Sequence, residues 1–457
     1  LLPGGEDVEI IIIDDGSKDK TGEIADAYQK QYPDLVKVIH KENGGHGSGV
    51  NALDDCPNQG GNETATAQVV LSLSIPDGQL PPTRVVSESE VNSLWVLEFE
   101  NDILKEKIDI TAKYNNANGK RLYIAIEETE HPVILSIVAN QNVSSLDIGT
   151  EKEVALQKLT FDNAQTLKYV PMYGETVEFE NINRDNSYDT SVELVRALTK
   201  IEIQYSSTQT EEEFTFLGIK VLNTNAKGYV KSLGIPTQTS VKSVAADPVS
   251  INSKLKTASV YIAETNNNES NKIQILVHGR YKGTDCWYRL DMIKENEKDE
   301  ITILKRNYKY VFALQNVNFL GRTESDVMEG DPDNKAFDAR LMTLNAEEAD
   351  ILDITTDDEY FLGVNSSTLQ STVNDGGLCF AKLKILTNNV FQGWAIVDAP
   401  EGVTFNPGTT GGLANSDEQR KVETVWIYID KTKVTKDFDF YVTTGKIRKV
   451  ITVSFSK

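Results

Sequence analysis

From residue 66 onward the apolar side chains recur at every second position, in short runs closed by turn residues. In TAQVVLSLSIP, Val69, Leu71, Leu73 and Ile75 fall on one side, Gln68, Ser72 and Ser74 on the other, and Pro76 ends the run. Successive side chains of a strand point to opposite faces, so this pattern suits a half-buried strand and gives a helix no continuous apolar stripe. The alternation returns in SLWVLEF (Trp95, Leu97, Phe99), TKIEIQY (Ile201, Ile203, Tyr205), KIQILVHGRY, NYKYVFALQNV, ETVWIYIDK and KVITVSFSK. In the last of these Ile451, Val453 and Phe455 face inward, against Thr452 and Ser454. Short strands with turns between them predict a mainly β chain of stacked sandwiches. Helical periodicity is weak in this part; DTSVELVRALTK at 189–200 reads as a short helix or turn leading into the next strand.

A chain of 457 residues suggests about three domains, and 39% apolar content supplies their cores. The net charge of −23 repels nucleic acid and anionic lipid. Cys56, Cys286 and Cys379 are too scattered for a disulfide framework or a zinc site, and four histidines leave little for acid-base or metal chemistry. No cofactor is expected. An apolar run of about 18 residues, which a membrane helix needs, is missing. The first residues lack the charged start and apolar core of a signal peptide, which implies a cytoplasmic protein or an N-terminus that is not the original one. Two polar stretches, KSLGIPTQTSVKSVAADPVS at 231–250 and TESDVMEGDPDNKAFD at 323–338, read as linkers, so the sandwich part divides into 66–230, 231–325 and 335–457.

The front of the chain follows different rules. IIIIDDGSKDKTGEIADAY at 10–28 is an apolar strand, two carboxylates, a Gly-Ser turn and a helix that Thr21 could cap. Together with HKENGGHGSGVN at 40–51 it resembles the family 2 glycosyltransferases, and the resemblance implies that Asp15 holds the base and ribose of a sugar nucleotide. It covers 1–51 only. A preceding strand and a later metal-binding Asp-x-Asp are missing, so the segment is expected to be a non-catalytic, partial α/β unit, joined through the polar linker 52–65 to the sandwiches.

The region from 66 to about 325 resembles the fimbrillins, pilus subunits of Gram-negative anaerobes. The likeness rests on TAQVVLSLSIP followed by PPTRVVSESEVNSLWVLEF, on VRALTKIEIQY before IKVLNTNAKGYV, and on ILVHGRYKGTDCWYRLDMI before ILKRNYKYVFALQNVNFLG, in that order. It implies two transthyretin-like sandwiches in tandem, export as a lipoprotein to the outer membrane, trimming after a basic residue, and polymerisation with other fimbrial subunits by strand donation. FQGWAIVDAPEGVTFNPGTTGG at 391–412 is similar to the bacterial immunoglobulin-like modules called BACON domains.

The physics of strand donation is visible in the residues themselves. Removing one strand from a sandwich leaves an apolar groove lined by unpaired backbone groups, which a donated strand can fill. Val69, Leu71, Leu73 and Ile75 would be the removable strand, and the DGQLPPT loop carries Arg84, after which a cut would free it. Arg84 reads equally as a solvated loop arginine. Cys56 stands ahead of a polar tether, as an acylated cysteine would, although the preceding LDD departs from the small residues an acylation site wants; the alternative is an unmodified thiol. Cys286 and Cys379 are expected in the core. Asp331, Asp333, Asn334 and Asp338, and the trio Asp357, Asp358 and Glu359, are oxygen-rich enough for calcium but lack the spacing of a dedicated loop, and solvated linkers are the simpler reading.

The expectation is a non-enzymatic fimbrial subunit at the cell surface, an accessory or tip adhesin that meets a host or bacterial receptor. Its last strand, KVITVSFSK, reads as a built-in core strand rather than a free donor, which favours a distal place. Two alternatives stay open: an enzyme completing a nucleotide site at 1–51 with a partner chain, and a monomeric surface lipoprotein whose Trp394 or Trp426 stacks on a glycan, although inward packing suits both tryptophans.

Overall fold

A computed structural model describes residues 10–32, 36–41, 65–74, 90–116, 121–162, 164–206, 209–232, 241–250, 255–267, 272–293, 301–334, 337, 339–345, 348, 350–357, 359–374 and 376–454. The chain divides into two units, Leu1–Ala65 and Thr66–Lys457.

In the first unit β1 (Ile10–Asp15) leads through a turn into α1 (Thr21–Gln31), and β2 (Val36–Lys41) returns parallel to β1 with Ile10 opposite Val36 and Asp15 opposite Lys41. Thr21 is the first helical residue rather than the cap. Lys20 holds the cap position without a side-chain capping bond, and Asp19 Oδ1 accepts the Thr21 backbone N–H at 2.9 Å. Ile24 and Tyr28 of α1 are 56% and 52% exposed, and Ala25 is the buried residue of the helix.

The second unit stacks its sheets in pairs. The first sandwich holds β3 (Thr66–Ser74), β4 (Leu94–Glu100), β5 (Ile103–Asp109), β6 (Arg121–Glu127), β7 (Val133–Ala139), β8 (Thr160–Asp162), β9 (Met172–Glu175), β10 (Tyr188–Glu193) and β11 (Val195–Arg196). Its short helices are α2 (Thr111–Asn116) and α3 (Lys152–Gln157). A sheet of order β10-β3-β6 faces one of order β11-β9-β7-β4-β5. The second sandwich holds β12 (Leu198–Ser206), β13 (Phe214–Asn225), β14 (Lys227–Tyr229), β15 (Val241–Ala246), β16 (Val249–Ser250), β17 (Leu255–Ala263) and β18 (Thr265–Asn266). It continues with β19 (Gln274–Tyr281), β20 (Thr284–Asp291), β21 (Ile303–Leu304), β22 (Lys309–Leu314), α4 (Glu324–Glu329) and β23 (Arg340–Leu344). Here β16-β17-β12-β22-β23 faces β15-β13-β19-β20, while β14 pairs back to β8 and β18 to β21.

The third sandwich holds β24 (Asp353–Thr356), β25 (Phe361–Val364), β26 (Thr368–Gln370), β27 (Thr372–Val373), β28 (Cys379–Thr387) and β29 (Trp394–Val397). It ends with β30 (Val403–Asn406), β31 (Thr410–Gly411), β32 (Glu423–Ile429), β33 (Phe438–Thr444) and β34 (Ile447–Ser454). β24-β25-β28-β32-β30 faces β26-β34-β33-β29-β31. The mainly β, sandwich-built chain that the alternation predicts is the observed fold.

Details of the expectation change. DTSVELVRALTK is not a helix: residues 188–193 form β10, paired in parallel with β3, and Val192 points into the core while Asp189, Ser191 and Glu193 face solvent. β4 is buried on both faces, Leu94 and Val96 between the sheets, Leu97 and Phe99 against α3 and the start of the second sandwich. By sheet membership the strands from Leu198 to Leu344 form one pair of facing sheets, which the expected divisions at 230/231 and 325/335 cross. Alternation marks strands but says nothing of which sheet receives them. The expected linkers are likewise built in. Residues 241–246 pair with β13, and 324–329 form α4, capped by the Thr323 hydroxyl accepting the Asp326 N–H at 3.2 Å.

Candidate functional site

β3 lies in the middle of its sheet, antiparallel to β6 with Leu71 opposite Leu122, and parallel to β10 with Leu73 opposite Val192. Val69, Leu71 and Leu73 are buried in the inter-sheet core, among Ile124, Ile126, Leu94, Leu135 and Ile137. Taking β3 out would leave two facing sheet edges and an apolar trench between them, both of which a strand of the same pattern would satisfy. Over the outer face of β3, Arg121 of β6 reaches Asp189 of β10 and forms an ion pair.

From Glu90 onward the chain is fastened to the scaffold by side-chain bonds that do not involve β3. Asn140, held at φ 59°, accepts the Asn92 N–H at 2.8 Å and donates to the carbonyls of Glu90 and Val170, both at 2.8 Å. Asparagine tolerates the left-handed backbone, and its side chain has both a donor and an acceptor to spend. The Thr111 hydroxyl then takes the Leu94 N–H at 2.8 Å.

At the end of the core where β3 begins sits Glu98 of β4. It is 1% exposed, and among the described residues neither carboxyl oxygen has a hydrogen-bond partner. Burial pushes its carboxyl up to about 7; Lys105 opposes that rise, while Glu106, Glu100 and Glu127 add to it. Sequence reading missed this residue. The only signal is its parity, since Glu98 occupies the same side of the pleat as Leu94 and Val96.

The other sequence candidates scatter. Ile75, Arg84 and Cys56 lie outside the described residues. Cys286 and Cys379 are buried, free thiols in β20 and β28. The acidic stretch at 331–334 is drawn into the fold: Asp333 takes the Arg289 N–H at 2.8 Å and the Arg322 guanidinium at 2.7 Å, and Asn334 bonds both backbone groups of Asp291 at 2.9 Å. Asp338 and Asp358 lie outside the described residues.

Trp394 packs in the core and donates to Glu423 Oε2 at 2.9 Å. Gly411 makes that possible, because a Cβ there would come within 2.6 Å of the indole. Trp426 is the exception to inward packing. It is 36% exposed on the outer face of β32, 5.6 Å from the Phe380 ring, with the Lys382 ammonium 5.6 Å from its centroid. Position 426 has the solvent-side parity of its strand, between inward Val425 and Ile427.

In the first unit Asp15 ends β1, in register with Lys41. Its neighbour Asp14 is spent within the unit, accepting the Ser17 N–H at 3.1 Å and meeting His40 Nδ1 at 3.0 Å, while His40 Nε2 meets Asp26 at 2.8 Å. The bonds to Ser17 and then His40 hold the Asp14 carboxyl below its ordinary range, and Asp26 and then Asp14 raise the His40 imidazole. Gly22 lets this network pass under the helix, since a Cβ there would lie 2.7 Å from Asp14 Oδ2.

The sequence pattern of glycosyl transferase family 2 matches residues 4–53. An uncharacterized glycosyltransferase of Nostoc sp. is 38% identical over 71 residues, which are 16% of this chain and 20% of that protein, so the chain spans about a fifth of that relative's length. Among solved structures the chain is similar to the tip fimbrial protein of Porphyromonas gingivalis with a C-terminal truncation, at 12% identity and a TM-score of 0.43, over 62% of this chain and 100% of that one. A fimbrial assembly protein from Parabacteroides distasonis is similar at 13% identity and a TM-score of 0.38, over 62% and 97%. The fimbrial anchor protein of P. gingivalis follows at 13% identity and a TM-score of 0.32, over 56% and 93%.

Proposed function

We propose that the chain is a non-catalytic fimbrial subunit of the cell surface, assembled by exchange of β3 for a strand from another subunit after cleavage at Arg84. The observation that carries this reading is the position of β3, central in its sheet, with apolar side chains inward and a neighbour on each edge. Burying Val69, Leu71 and Leu73 is worth about 5–8 kcal/mol before ordering costs, enough to retain the strand and enough to reward a replacement. The Asn140 clasp supports a cut between β3 and β4, because the chain from Glu90 onward stays anchored without its connection to β3. Cys56 is the proposed acyl anchor. The test is direct: digest the folded chain with trypsin, sequence the new N-terminus, and add a labelled TAQVVLSLSIP peptide. A fragment starting at Val85 and uptake of the peptide are expected; a 77–92 region left whole while other sites are cut would overturn the processing step.

For the first unit we infer that no sugar is transferred and that Asp15 is a remnant. Asp14 is engaged with Ser17 and His40, and α1 leaves Ile24 and Tyr28 exposed where a complete sheet would cover them. Calorimetry with UDP-sugars and Mn²⁺ tests it. Binding tighter than about 100 μM that Asp15→Ala abolishes would show a working site.

A further inference from the structure

Glu98 is opposite Leu135 of β7, and its side of the pleat is that of Leu94 and Val96, so its carboxyl points into the layer between the two sheets of the first sandwich. The charged groups around it are already used or of the wrong sign. Lys105 of β5 bonds Glu100 at 2.6 Å and Glu127 of the facing sheet at 3.1 Å, and Glu106 stands directly opposite Glu98 on β5. From β7 the neighbour is Leu135, and β3 enters with Thr66 and Ala67, none of them charged. Glu127 pairs with Thr66, which places this cluster at the mouth through which β3 enters.

Stripping a carboxylate of water there without a partner is costly, so below about pH 7 it stays in the fold as the neutral acid. Departure of β3 would admit water to the layer, and the acid would then ionise. Losing the strand is thereby coupled to losing a proton. We propose that Glu98 makes the β3 slot proton-regulated: the protonated side chain holds β3 in mild acid, and ionisation favours strand exchange toward neutral pH. The proposal rests on the strand-exchange reading above and adds its regulation. The carboxyl titrates at about 7 when buried and near 4.5 when free. Opening should therefore rise up to about tenfold per pH unit between those values and level off above the higher one.

The experiment uses the full chain nicked at Arg84, with the nicked piece still bound, and excess fluorescent TAQVVLSLSIP peptide. Initial uptake is measured from pH 5.5 to 8.5 for the wild type, Glu98→Gln and Glu98→Met. The expected result is at least a tenfold rise in the wild type between pH 5.5 and 7.5 and a flat profile in both variants. Equal pH profiles in wild type and variants overturn the role of Glu98 while leaving strand exchange standing. Absence of uptake in every protein at every pH overturns strand exchange itself, and this proposal with it. Hydrogen exchange of the β3 amides in the uncut chain gives a second reading. Protection that falls toward pH 7 in the wild type, but not in Glu98→Gln, supports the coupling, and identical protection refutes it.

Discussion

A single buried carboxyl sets the pH response expected of the first sandwich. Glu98 has a folded pKa raised from 4.5 to about 7, so between those values the native state keeps a proton that the unfolded chain has released. Stability therefore falls as pH rises through that window, by a total of about 3 kcal/mol, and the loss is complete above pH 7. Glu98→Gln removes the titration and keeps the shape. The opening free energy of β4 and β7, read by hydrogen exchange, should exceed that of the wild type by up to about 3 kcal/mol at pH 8 and match it near pH 4.5. Parallel curves for the two proteins would mean that the carboxyl is solvated. Beyond its parity with Leu94 and Val96, LWVLEFE does not announce this residue, because a glutamate in an alternating strand is ordinarily on the wet face and here both faces of β4 are covered. Trp394 and Trp426 teach the same lesson in reverse. Parity within each strand decides which tryptophan packs and which is exposed, and the aromatic character of either does not.

Among the elements, β3 was the most legible, since Val69, Leu71 and Leu73 stand inward with the period the sequence displays. Its partners were not legible. Parallel pairing with β10 depends on a segment whose Val192 and Val195 also sit at a helical i, i+3 spacing, and the pairing with β3 decides for the strand. The same holds for the strands reassigned between sandwiches, where each run is correctly β and its sheet is set by contacts distant in sequence. Leu71 sits at the centre of the trench, fully buried. Leu71→Ala should cost about 3 kcal/mol and raise peptide uptake by the nicked chain, because the resident strand then holds less well than its competitor. The exposed Arg121–Asp189 ion pair across β3 is a weaker restraint, worth at most about 1 kcal/mol in solvent, so Arg121→Ala should change uptake by about fivefold or less. An effect larger than that of Leu71→Ala would reverse this ranking of core over latch.

At the scale of the molecule, the third sandwich is seated on the second through a buried polar seam. Lys309 Nζ donates to the Ile351 carbonyl at 2.8 Å, and Gln204 donates to the Leu352 carbonyl at 2.6 Å while taking the Ile354 N–H at 3.1 Å. Arg420 reaches Glu348 at 2.8 Å and the Thr343 carbonyl at 2.8 Å, beside an apolar patch of Val311, Met342, Ile354 and Phe361. This seam explains why β12 is buried on both faces although its KIEIQY reads as half-buried. Gln204→Ala leaves two backbone groups unsatisfied, so it should cost about 1–3 kcal/mol and expose the 345–354 segment to protease before either sandwich unfolds. On the proposed reading as a fimbrial subunit, the third sandwich also bears on the direction of strand exchange. β34 is locked between β26 and β33 with Ile451 and Val453 in the core, so the strand that would be pulled out to fill another subunit's slot is already holding its own sandwich together. Withdrawing it would cost that core, whereas β3 can be replaced in kind. The expected behaviour is acceptance at β3 without donation from β34: nicked protein should add to a stalk subunit that bears a free donor strand, with the third sandwich projecting from the joint. Electron micrographs of the nicked chain alone should show single particles, and long homopolymers whose formation is abolished by Val453→Asp would overturn the distal placement.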